Sequence, residues 1–133
     1  MICFLKGMFG AVVVLTAALF IFPLYSDYRA SAETSGWLYE IVPTAEAISD
    51  NILHLKTTSG AGVGIAKPTI KMGAPSRIEV MANGTIFLKG GRDGQLVVLI
   101  PEFLAGKVLW RCIGGSSHAT LSCNNWRSHY ASK

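Results

Sequence analysis

From Met8 to Tyr25 the chain reads MFGAVVVLTAALFIFPLY, 18 uncharged residues in which Thr16 is the polar exception. Coiled as a helix at about 1.5 Å per residue, this run reaches roughly 27 Å, enough to cross the hydrocarbon layer of a bilayer. Val12, Val13, Val14, Leu15, Ala17, Leu19, Phe20 and Phe22 would form the wall of that helix, and they require lipid or another apolar helix against them. Lys6 precedes the run and Asp27 and Arg29 follow it, a bias toward a cytoplasmic N-terminus. The competing reading is a secretory signal cleaved after Ala30-Ser31-Ala32. Against it stand the length of the apolar run and the charges at 27 and 29, so the run is read as a retained anchor.

Beyond Pro23 the apolar pattern becomes periodic. Leu38, Ile41, Ala45, Ile48, Ile52 and Leu55 follow at intervals of 3, 4, 3, 4 and 3, one stripe of a helix that needs a covering surface. Asp27, Glu33, Glu40 and Glu46 lie off the stripe. Pro23 and Pro43 each remove a helical hydrogen bond and are expected to bend the rod without ending it, because the period runs through Pro43. The pattern predicts one curved helix of about 50 residues, apolar all round in its first half and amphipathic in its second, too long for an ordinary globular domain. Thr57 to Pro75, rich in glycine, threonine and serine, reads as a connection. Within it Gly60-Ala61-Gly62-Val63-Gly64 lacks the preceding strand and the lysine of a phosphate-binding loop and reads as a flexible linker.

The remainder alternates as strands do. Arg77 to Met81 and Thr85 to Lys89 flank Asn83-Gly84, a strong hairpin signal, and are expected to pair antiparallel. Gln95 to Ile100 is a third strand, Pro101 to Gly106 a connection, and Lys107 to Cys112 a fourth strand. The expected fold is α+β: a long curved N-terminal helix laid on a four-stranded antiparallel meander. Three stretches follow: 1–25 as leader and membrane half of the helix, 26–56 as its amphipathic half, and 57–133 as the sheet domain with a C-terminal loop.

A chain of 133 residues has room for one small domain besides the anchor, which excludes a multidomain enzyme. No serine or cysteine stands with a histidine and an acid, no carboxylates pair in the sheet region, and His54, His118 and His129 show no ligand spacing. The expectation is a non-catalytic protein without metal or cofactor. Charge divides unevenly: residues 27 to 50 carry five acids against one base, and residues 51 to 133 carry ten bases against three acids. A basic body suits an anionic partner, and Arg111, Arg127, His129 and Lys133 around Trp126 are the candidate DNA contacts, by phosphate pairing and base stacking. The stronger reading has Trp110 and Trp126 packing over the sheet edge, with the basic face simply solvated. Cys112 and Cys123 bracket Gly114-Gly115-Ser116-Ser117 and should pair if the anchor exports the domain to an oxidising compartment. Cys3 is left over.

Three ordered stretches carry a family resemblance. They are Phe22-Pro23-Leu24-Tyr25-Ser26-Asp27-Tyr28-Arg29 at the end of the apolar run, Ile78 to Leu88 around Asn83-Gly84-Thr85-Ile86, and Leu99-Ile100-Pro101 followed by Val108-Leu109-Trp110-Arg111-Cys112 with the closing Cys123. Together they span about residues 8 to 123, and the sequence resembles the type IV pilins and minor pilin-like proteins of Gram-negative bacteria. The resemblance implies a lollipop shape with a Cys112–Cys123 disulfide closing a C-terminal loop. It implies a subunit that waits in the inner membrane, is handled by pilus assembly machinery, and joins other pilin subunits in an extracellular fibre serving adhesion or twitching motility. Gly7-Met8 is the matching position for leader cleavage and N-terminal methylation. The pattern departs where the family carries a glutamate near the start of the mature helix: aligned on Pro23, Tyr25 and Asp27, that position holds Lys6, and aligned on Gly7-Met8 it holds Val12. This departure points to a minor, tip or membrane-retained subunit, and a DNA-binding minor pilin is the alternative.

Overall fold

The computed structural model describes residues 2–71, 73–115, 119, 122–124 and 126, with side chains from residue 10 onward. Two helices, α1 (Ile2–Glu40) and α2 (Val42–Leu55), precede four strands, β1 (Pro75–Val80), β2 (Ile86–Gly90), β3 (Gln95–Leu104) and β4 (Lys107–Gly114). The α+β arrangement read from the pattern is the one observed.

α1 passes through Pro23 without interruption. The hydroxyl of Thr16, the polar exception in the apolar run, donates to the carbonyls of Val12 and Val13. That back-bonding gives the Thr16 hydroxyl a partner within its own helix. Pro43 has no N–H to offer Tyr39, and Ile41 alone separates α1 from α2. Ile41 still donates its N–H to Trp37 at 2.9 Å, and its carbonyl accepts from Ala45 at 3.0 Å. The two helices are therefore joined through one residue, and the buried stripe crosses the joint: Leu38, Ile41, Ala45, Ile48 and Ile52 are all buried. Leu55 departs from the expectation. It is 48% exposed, because the helix ends there and Lys56 turns the chain into a left-handed conformation.

The strands form one antiparallel sheet in the order β1-β2-β3-β4. Ile86, Leu88, Val97, Leu99 and Cys112 face the helix stripe and complete the core with Trp37. The β1–β2 connection is a three-residue link: Met81 N–H donates to Thr85 at 2.8 Å and Gly84 N–H to Met81 at 2.9 Å. Gly84 takes the left-handed position that such a link needs, at φ +82°. The third connection is a correction. Pro101 to Gly106 is not a loop; β3 continues to Leu104, pairs Pro101 with Trp110, and turns only through Ala105 and Gly106. Proline is tolerated because β2 pairing ends at Leu99, so no neighbouring strand remains on the side where its N–H would point.

The segment before β1 is also corrected, from flexible linker to packed loop. Ala61 is fully buried, Asn51 Nδ2 donates to its carbonyl at 3.0 Å, and Gly62 N–H donates to Ala82 at 3.0 Å. A methyl group on Gly62 would run into the Met81 carbonyl, so glycine is there for close approach rather than freedom. Further along, Trp37 Nε1 donates to Gly73 at 2.8 Å and the Lys71 N–H to Glu40 Oε2 at 2.6 Å, which holds the loop against α1.

At the other end of the sheet sequence, Cys112 and Cys123 form a disulfide with their Cα atoms 5.2 Å apart. The bridge returns the chain to α1, where Ser122 Oγ donates to Ser31 at 3.3 Å and lies 3.1 Å from Ser35 Oγ.

Candidate assembly surface

The domain covers only one part of its helix. Val12, Val13, Val14, Leu15, Leu19, Phe20 and Phe22 are between 55% and 77% exposed, and Ala17 is exposed with them. This stretch is long and apolar enough to cross a membrane, and none of its apolar window is buried. Gly7 and Met8 lie in α1, but their surroundings fall outside the described side chains.

The sheet meets α1 from Ala30 onward. Ala30 is buried, and its carbonyl accepts from Thr34 Oγ1 at 2.9 Å and from Gln95 Nε2 at 3.2 Å. Three residues on, Glu33 Oε1 stands 3.6 Å from Arg92 Nε in the β2–β3 turn. The turn is thereby held about 12 Å along the helix from Tyr25, at about 1.5 Å per residue. Between the apolar run and this contact, the Arg29 guanidinium lies over the Tyr25 ring, 5.6 Å from its centre. An aromatic ring and an amphipathic cation at that height suit a membrane–water boundary. Within Ala30-Ser31-Ala32, Ala30 is buried and the Ser31 carbonyl accepts from Ser122, while Ala32 is exposed.

On the face of α1 turned away from the sheet, Tyr25, Ala32 and Tyr39 recur every seven residues, with Tyr28 between the first two. All four are exposed, Tyr39 at 81%. Sequence reading passed over them, although the signal was present: they are the complement of the buried stripe, and the face carries no charge from Val14 through Ala18 and Ile21 to Tyr39. An uncharged face with 3-and-4 spacing thus continues from the apolar run into the sheet-packed half of α1, and its residues are exposed.

The candidate DNA contacts are not brought together as a stacking site among the described residues. Trp126 is 6% exposed and meets Trp110 edge-on, ring centres 6.2 Å apart, so it closes the core and does not stand out for a base. Trp110 Nε1 in turn donates to Ser49 at 2.9 Å, tying β4 to α2. Arg111 pairs with Glu102 at 3.2 Å on the exposed face of the sheet. Arg127, His129 and Lys133 lie outside the described residues. No family model, curated protein or solved structure matches this chain.

Proposed function

We propose that this chain is a non-catalytic structural subunit of a type IV pilus-like surface fibre, or a pilin-like accessory of such a fibre. α1 holds it in the inner membrane before assembly and then packs against the helices of neighbouring subunits, while the sheet domain faces the periplasm or the fibre surface. The observation that carries this reading is the apolar half of α1, exposed along its described length from Gly10 to Tyr25. A helix apolar all round is stable in only two settings, lipid and a bundle of similar helices, and an assembly subunit uses both in turn. The uncharged Tyr25–Tyr39 seam supports it by carrying the same surface beyond the bilayer boundary. The reading leaves the basic body as a solvated face, since Trp126 is buried and Arg111 is paired.

The test is to place a charge in the run, as Val13→Asp or Ala17→Asp. Each substitution costs about 2.5–3.5 kcal/mol at a membrane helix centre and more in a bundle that offers it no partner. The expected result is loss of the chain from both membrane and sheared-fibre fractions. Unchanged fractionation of both variants would end the reading.

A further inference from the structure

β3 reads Gln-Leu-Val-Val-Leu-Ile-Pro-Glu-Phe-Leu, apolar on nearly every position. An antiparallel sheet with one solvated face normally alternates apolar and polar residues, and a continuous apolar run belongs to a strand covered on both faces. The inner face of β3 is covered by the helix stripe. The outer face carries Leu96, Val98 and Ile100, and the register extends it sideways: Phe87 of β2 is opposite Val98, which is opposite Ile113 of β4. Leu109, 39% exposed, and Ile113, 45% exposed, continue it toward the β4 edge. Around this apolar band stand Arg77 and Arg111, paired with Glu79 and Glu102, together with Lys89 and Lys107, whose charges those two carboxylates do not balance. The outer sheet face is thus apolar at its centre and net basic at its rim.

The opposite side of the molecule has the complementary character. The back of the helical rod presents Tyr28, Ala32 and Tyr39, and then, at the same helical phase, the exposed acids Glu46 and Asp50. From Tyr28 to Asp50 the helix covers about 33 Å at about 1.5 Å per residue, and the ten residues of β3 cover about the same length at about 3.3 Å each.

We propose that the outer face of the sheet seats the helix back of a second copy of this chain. Tyr28, Ala32 and Tyr39 of one copy cover the Phe87–Val98–Ile113 band of the next, and Glu46 and Asp50 fall toward the basic rim. Each sheet then lies between two helices, its own and its neighbour's, a layered arrangement that buries both faces of β3. Front-to-back contact is heterologous and relates copies by a shift, so every apolar run points the same way and all anchors enter one membrane. A two-fold pairing through the β4 edge would instead point the two anchors in opposite directions. The proposal deepens the assembly reading by naming the surfaces that meet outside the bilayer.

The test uses the full chain in its membrane, with Cys3→Ser as background. Ala32→Cys combined with Val98→Cys in one chain should give, on mild oxidation, a ladder of covalent multimers that neither single variant gives. In parallel, Ala18→Cys reports contact between the apolar runs. A dimer from Ala18→Cys with no ladder from the double variant would overturn the stacking and leave the assembly reading standing. Failure of both would overturn both. An intrachain bond between Val98→Cys and Tyr130→Cys would also overturn the proposal, because the chain's own tail would then be what covers this face.

Discussion

Ala105 shows how much one residue can carry. It sits at φ +51° in the two-residue turn between β3 and β4, followed by Gly106 at φ +79°. A left-handed pair of this kind matches the twist of a hairpin but suits glycine or asparagine, and a residue with a Cβ there is strained by about 1–2 kcal/mol. Ala105→Gly is therefore expected to stabilise the domain by about 0.5–1 kcal/mol after the greater freedom of the unfolded glycine is counted, measured by thermal unfolding of the detergent-solubilised chain. A fall in the midpoint would contradict this account of the turn. The position was not legible in the sequence, because Pro101 hides it: proline inside an apolar run reads as the end of a strand, and only the early end of β2 shows why it is tolerated. Gly84 was legible as a turn residue, but not the three-residue link that it completes. That link depends on hydrogen bonds from Met81 and Gly84 which no dipeptide signal encodes.

The helix stripe was legible because its spacing is a physical consequence of 3.6 residues per turn, and each member from Leu38 to Ile52 meets the sheet. Its last member was over-read, since periodicity says which way Leu55 points but not that the sheet has ended beneath it. The contrast makes a prediction. Ile48→Ala is expected to cost about 2–4 kcal/mol in unfolding free energy, because Ile48 is fully buried and packs beneath Gly84. Leu55→Ala is expected to stay within about 0.5 kcal/mol. Equal costs from the two would mean that the helix end is covered in the working protein. The C-terminal element makes a second prediction. Removing the bridge with Cys112→Ser and Cys123→Ser should lower stability by about 2–3 kcal/mol. It should also open the segment that Ser122 holds to Ser31, seen as faster proteolysis beyond residue 115 while the cleavage pattern of the sheet is unchanged. An unaltered proteolysis rate would show that the packing of Trp126 on Trp110 holds the segment without the disulfide.

At the scale of the whole molecule, three surfaces remain among the described residues after folding is accounted for: the apolar half of α1, the back of the rod with Tyr28, Ala32 and Tyr39, and the apolar outer face of the sheet around Val98. The first was plain in the sequence, since 18 uncharged residues admit few fates. The second was not, because an exposed stripe is defined by what is left when the buried one has been assigned, and the same letters would read as ordinary solvent positions on a free helix. The place of Trp126 was hidden for the converse reason: an aromatic among cations looks the same in one dimension whether it faces a ligand or, like Trp126, the core. The account's central claim is that the domain rides on an intact apolar helix into a fibre. The N-terminal residue and intact mass of the chain, determined from sheared surface fibres and from membranes of the cells that make it, test that claim most directly. The account predicts a chain in the fibres that begins at Met8 and carries the disulfide. A chain absent from fibres and recovered in soluble form beginning at Glu33 would contradict it, because the helix on which assembly depends would have been cut away.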